Sequence, residues 1–127
     1  MRTSVFVTLA CLLGLPAMAS AAHILASAPT FGASTQQAAQ CILGNTGTKD
    51  ITVNATIVDE SGNALPVATT CNEPIPPHFS CTVFANSIPS SAAVACSVTV
   101  SGSGNKLRGS LSILDSNEVP LRSAELR

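Results

Sequence analysis

The chain has no tryptophan and no tyrosine, and aromatic residues make up only 3% of its 127 positions. Carbohydrate binders and single-stranded nucleic-acid binders build their stacking platforms from exposed aromatic rings, so those functions lack their usual material. Charge is equally scarce. Six basic and seven acidic side chains give a formal net charge of −1, with charged residues at 10%. No broad basic footprint is left to attract nucleic acid or an anionic membrane. His23 and His78 are the only histidines. The chain contains no G-x-S-x-G, H-E-x-x-H, G-x-G-x-x-G or Walker-type loop, which removes the common hydrolase, zinc-protease and nucleotide signatures. The acidic residues are scattered. Asp59 and Glu60 run into Ser61-Gly62-Asn63, a turn composition without the closing glutamate of a calcium loop. These absences point to a non-catalytic protein with no resident cofactor.

What is present is apolar. Hydrophobic residues reach 46%, which is a globular composition rather than a disordered one. Residues 1–21 read as a secretory signal peptide: Arg2 supplies the positive end, residues 5–15 are an apolar run, and Pro16 precedes small residues. The run is too short for a membrane-spanning helix, which needs about 20 residues, so no stable membrane insertion is expected after cleavage. Ala17-Met18-Ala19 and Ala19-Ser20-Ala21 fit the small-x-small cleavage pattern, and Ser20-Ala21-Ala22 is a third choice that leaves His23 at the new N-terminus. Residues 22–127 then form one domain, secreted or periplasmic.

Cys11 leaves with the signal, and Cys41, Cys71, Cys81 and Cys96 remain. An even number in an oxidising compartment implies two disulfides, with three possible connectivities. Periodicity ranks them. Cys41 lies between Ala39 and Leu43, and Cys96 between Val94 and Val98, at the two-residue spacing of one strand face. Both therefore face inward, and a Cys41–Cys96 bridge pins two sheets together, leaving Cys71–Cys81 to close the proline-rich loop between them.

The strand signals recur at near-regular spacing. Ile51, Val53, Ala55 and Ile57 alternate with polar residues, as do Val94, Cys96, Val98 and Val100, then Leu107, Leu111 and Ile113. Phe79, Cys81 and Val83 alternate with Ser80, Thr82 and Phe84. Residues 24–28, 38–44 and 65–71 complete the set, with a last strand at 119–126 behind an Asp115 to Glu118 turn. Gly102-Ser103-Gly104-Asn105 has the composition of a hairpin loop. No stretch of 11 residues shows a helical period. The pattern predicts an all-β chain: an immunoglobulin-like β-sandwich of seven or eight antiparallel strands, stapled by disulfides. Phe31, Phe79 and Phe84 are the only aromatics outside the signal, so they alone are left to supply large aromatic areas to the core, and Ala and Val must fill the rest of a thin one.

Function then rests on surfaces. The final strand carries Pro120 near its start, as edge strands do, and Val119, Leu121 and Leu126 are the residues expected at an edge where a protein partner extends the sheet. Asn54-Ala55-Thr56 matches the N-glycosylation triplet but sits inside an alternating strand, where Asn54 reads as a solvent-facing residue. His78 precedes Phe79 at the end of the proline loop and reads as a solvated or backbone-bonded imidazole.

Two resemblances add to this reading. Residues 22–29, AHILASAP, resemble the mature start of CopC-like periplasmic copper carriers, which are small β-sandwiches. That resemblance implies a copper-binding alternative, with His23 at a freed amine and His78 as a second imidazole. No D-x-H ligand pair follows downstream. The run Cys41-Ile42-Leu43-Gly44-Asn45-Thr46-Gly47-Thr48-Lys49 leading into Ile51-Thr52-Val53 is similar to the strand, N-x-G turn and strand of small secreted bacterial immunoglobulin-like modules. It implies a structural or interaction role of the kind adhesion-type modules have.

Overall fold

Alternation of buried and exposed side chains builds every long element. In a computed structural model the described residues are 22–101 and 106–127, so the signal-like residues 1–21 and the Gly102-Ser103-Gly104-Asn105 turn lie outside them. Eight strands form two antiparallel sheets: β1 His23–Ala26, β2 Ala38–Asn45, β3 Thr52–Asp59, β4 Ala68–Thr69, β5 Ser80–Ala85, β6 Val94–Ser101, β7 Leu107–Leu114 and β8 Pro120–Glu125. No α-helix occurs among the described residues. One sheet has the order β1-β6-β3, the other β4-β5-β2-β7-β8.

The two sheets face each other across a core of Leu43, Ile57, Val83, Val98, Leu107, Leu111 and Ile113. Cys41 and Cys96 lie at its centre with no exposure, and they are joined as a disulfide with Cα atoms 6.1 Å apart. Cys71 and Cys81 form the second bridge, Cα atoms 5.1 Å apart, beside the β4–β5 edge. The first pairing is the one that strand periodicity selects, and the second is the pair it leaves over.

Three expectations are corrected. The strand expected over 65–71 shrinks to Ala68–Thr69 because the chain changes sheets there. The Leu65 amide donates to the Ile57 carbonyl of the three-stranded sheet, while Ala68 and Thr69 pair with Phe84 and Val83 of the other. Pro66 sits in the crossing, with no amide to give a ladder. Second, the aromatics do not fill the core. Phe79 is 65% exposed and Phe31 43%, and Phe84 projects half-buried from the outer side of β5. His78 takes a positive φ of 66° just before β5, so Phe79 leaves the alternating row of Cys81 and Val83. Leu, Ile and Val supply the volume instead. Third, Leu126 is a core residue, 7% exposed, rather than part of an open edge.

Two buried amides hold the loops at opposite ends. At one end Gln36 accepts from the Gly32 amide at 2.8 Å and donates to the carbonyls of Pro89 and, at 2.7 Å, Ala92. At the other, the Asn45 side chain donates to the carbonyls of Lys49 (2.7 Å) and Ile75 (2.8 Å) and accepts from the Gly47 amide (2.8 Å). Among the described residues, no buried side-chain nitrogen or oxygen lacks a partner, as a polar group taken out of water requires.

Candidate interaction surfaces

Register decides what each sheet shows to solvent. In the three-stranded sheet, Ile24 of β1 stands opposite Thr99 of β6, which stands opposite Asn54 of β3; one row on, Ala26, Ser97 and Thr56 align in the same way. These side chains point outward, since their neighbours Leu25, Val53, Val98 and Val100 turn toward the core. None of the six is ionisable, and Ile24 is 74% exposed. The outer side of the five-stranded sheet has the same texture around Ile42, with Thr82 and Ser110 beside it and Ser112 and Ser123 sharing a hydroxyl contact at 3.1 Å. Charge enters it only toward Arg108 and Glu125. Soluble domains usually intersperse charge over about a quarter or more of their surface, so uncharged sheet faces of this kind stand out.

Charges collect instead in the turns. Asp59 and Asp115 build matching ones. Asp59 Oδ1 accepts from the amides of Ser61 and Asn63, each at 2.9 Å, and Asp115 Oδ1 from those of Asn117 (2.8 Å) and Val119 (3.0 Å). In each, the residue three positions after the aspartate has positive φ: Gly62 at 82° and Glu118 at 59°. Hydrogen bonds from the backbone and side chain of Asn63 hold the Asp59 carboxyl below its usual range. The turns explain these carboxylates as local architecture.

The sequence-derived candidates are spread apart. His23 opens β1 and is exposed; His78 is exposed before β5 on the other sheet, its amide donating to the Asn45 carbonyl at 2.9 Å. Among the described residues, no three His, Cys, Asp or Glu side chains converge as a metal site. Asn54 is exposed on the outer face. Val119, 52% exposed, precedes β8. Leu121 is half-buried and packs against the core, close to Gly32.

The end of β8 holds a feature that sequence reasoning missed. The Leu126 amide donates to the Gly109 carbonyl of β7 at 3.0 Å, while Ala26 and Arg127 exchange two main-chain bonds of 3.1 Å. Leu126 and Arg127, just past the end of β8, thus join β7 of one sheet to β1 of the other. Next to this junction a cleft of about 400 Å³ opens, lined by His23, Ile24, Leu25, Leu107, Arg108 and the Glu125 to Arg127 segment. A second depression, of about 430 Å³, lies over residues 46–51 with Ser101 and Lys106. Nothing in the sequence marks the first cleft, because β1 and β7 lie far apart along the chain.

The chain matches no protein-family model, no curated protein and no solved structure.

Proposed function

We propose that this chain is a non-catalytic structural or interaction module, an immunoglobulin-like β-sandwich working outside the cytoplasm, secreted or periplasmic. The uncharged outer face of the three-stranded sheet carries the reading: a surface of Ile, Ala, Ser, Thr and Asn side chains fits contact with another macromolecule and offers no acid, base or nucleophile pair for chemistry. The two disulfides suggest an oxidising compartment. The immunoglobulin-like assignment is supported by the central strands. In that fold the second and sixth strands are joined across the sheets by a disulfide, and here β2 and β6 are joined by Cys41–Cys96, with β5 beside β2 and β3 beside β6. The outer positions differ. β7 occupies the place beside β2 that the first strand would take, and β1 the place beside β6 that the last would take.

Photo-crosslinking in the native host tests the role. A photoreactive residue at Thr99, on the outer face, is expected to yield an adduct of discrete mass, whereas one at Ser61, in the Asp59 turn, yields none. No adduct at Thr99 would count against an interaction role. Thermal melting with Cu(II) tests the metal alternative, because a ligand that binds the folded state alone raises its stability. A rise in Tm that disappears in His23→Ala would favour copper binding over this reading.

A further inference from the structure

Four of the five glycines among the described residues are explained by the fold, and the fifth is not. A Cβ on Gly32 or Gly109 would come within 2.7 Å of a core side chain, one on Gly47 would lie 3.1 Å from the Asn45 side-chain oxygen, and Gly62 has the positive φ of its turn. Gly44 has neither reason. Its φ is not positive, and a Cβ built on it meets nothing within 4 Å. Glycine inside a strand weakens it, and where it is kept it marks a bulge, a bend or a close approach by another chain or a ligand. β2 pairs with β5 and β7 without a register shift, so no bulge accounts for Gly44, and a close approach from outside the fold remains. Leu43 and Asn45 on either side of it are buried, which turns Gly44 to the outer side of the five-stranded sheet. A depression of about 510 Å³ opens there, with Ile42, Gly44 and Ser110 in its lining beside one residue of each charge, Arg108 and Glu125.

We infer that the outer face of the five-stranded sheet is a homodimer interface, in which Ile42 of a second copy of this chain fills the space over Gly44. The face carries its own complement. Ile42 is 42% exposed and stands two residues before Gly44 on the same strand, so a protrusion and a hollow lie about 7 Å apart. A two-fold axis lying in the plane of contact and crossing β2 at Leu43 sets each Ile42 over the Gly44 of the other copy. A pair related in this way uses one patch twice, and both hollows are filled. An axis along β2 would instead set Ile42 against Ile42 and leave both hollows empty. The crosswise axis also orders the charges. Ser110 stands beside Ile42 and Arg108 beside Gly44, with Glu125 beyond Ser110 on β8. Exchanging the two rows brings each Glu125 next to the Arg108 of the second copy, so the charges at the border meet as opposites. Around them Gln40, Thr82, Phe84, Ser112 and Ser123 are uncharged. At ordinary strand and residue spacing the face offers on the order of 500 Å² per copy. The pair then buries about 1,000 Å², the lower bound for a specific interface, which makes the dimer a weak one in exchange with the monomer.

Sedimentation equilibrium on the chain with both disulfides intact is expected to show a mean mass rising from one chain toward two between about 5 and about 500 μM, as an interface of the smallest specific size does. Gly44→Ile fills the hollow from within. The added Cβ is free of contacts in the monomer, so the thermal melt is expected at or above the wild-type position, while overpacking weakens the dimer about tenfold or more. Exchanging the two residues, Ile42→Gly with Gly44→Ile, restores a protrusion over a hollow under the same axis and is expected to recover the association that Gly44→Ile loses. Ile42→Lys, a change at an exposed position, is a further variant with the same expected loss as Gly44→Ile. A chain that stays monomeric up to about 500 μM overturns the inference, and a foreign adduct from a photoreactive residue at Ile42 would then assign the face to another protein. Undiminished dimerisation of Gly44→Ile or Ile42→Lys overturns it too. An exchanged variant no stronger than Gly44→Ile alone overturns the pairing of Ile42 with Gly44. The interaction reading above concerns the other sheet and has its own probe at Thr99, so the two can fail separately.

Discussion

The two disulfides close loops at the centre and at the rim of one sandwich, and they constrain different things. Cys41–Cys96 spans 55 positions and ties β2 to β6 across the core, where neither sulfur is exposed. Cys71–Cys81 spans 10 and ties the two-residue β4 to the start of β5, next to a loop that already contains three prolines. The central bridge fixes which faces of two sheets meet; the rim bridge fixes a connection whose conformations proline already limits. Loop-closure entropy alone gives about 4 kcal/mol for the first and about 3 kcal/mol for the second. A domain of this size has only about 5–15 kcal/mol in total. The centre of the molecule is therefore held by a cross-link it cannot easily lose, and the rim by several smaller devices.

Removing the central bridge is the largest way to break that contrast. Cys41→Ala with Cys96→Ala is expected to cost about 4 kcal/mol or more, since the smaller side chains also leave space in a fully buried region. Urea unfolding would register this as a large drop in midpoint, or as failure to fold at 37 °C. Cys71→Ser with Cys81→Ser should cost about 3 kcal/mol at most and leave a cooperative transition. Equal losses for the two pairs would show that the rim loop directs the fold as much as the core does.

Asn45 sharpens the comparison within the rim. Its amide serves three main-chain groups and ties the end of β2 to the proline loop at Ile75, doing without a covalent bond what Cys71–Cys81 does with one. Asn45→Ala strands those partners and is expected to cost about 2–3 kcal/mol. Hydrogen exchange should then speed up at Ile51 and Ile75, which bond each other beside it, while Val98 in β6 keeps its protection relative to global unfolding.

Much of this architecture was readable from the chain, for a physical reason. Strands buried on one face must alternate, and Val94, Cys96, Val98 and Val100 do so without interruption, which fixed both the strand and the partner of Cys41. What was not readable depends on the meeting of distant segments. The crossing at Pro66 is a change of sheet that a single apolar run cannot announce. Phe79 continues the alternating row on paper but leaves it because His78 adopts a left-handed backbone. Gln36 has the composition of any loop residue, and only the arrival of Pro89 and Ala92 buries it; the cleft likewise exists because Ile24 and Leu107, far apart along the chain, come to line it together. Leu126 was expected at an open edge because the last strand is an edge strand. Its burial follows from the bridge between Ser27 and Leu126, which no local pattern encodes.

The smallest effects lie in the two aspartate turns, which set the scale of the rim's individual contributions. Both place a residue with positive φ three positions after the aspartate, but one uses Gly62 and the other Glu118. A Cβ on Gly62 would meet no atom within 4 Å, so Gly62→Ala carries only the backbone cost of a left-handed conformation, about 1 kcal/mol. Glu118→Gly removes that same strain and is expected to stabilise by up to about 1 kcal/mol, less the extra freedom glycine gives the unfolded chain. Opposite shifts in Tm from these two substitutions would confirm that the turns are equivalent; a loss from both would mean that the Glu118 side chain contributes something the turn geometry does not explain. The carboxylates extend the comparison to pH. Asn63 holds the folded-state Asp59 below its ordinary range, so this group's contribution is complete above the unfolded value of about 3.9 and fades as pH falls through the lower folded-state value. Asp59→Asn should therefore flatten the acid limb of the stability profile below about pH 4, and a limb that keeps its slope would assign it to other carboxylates.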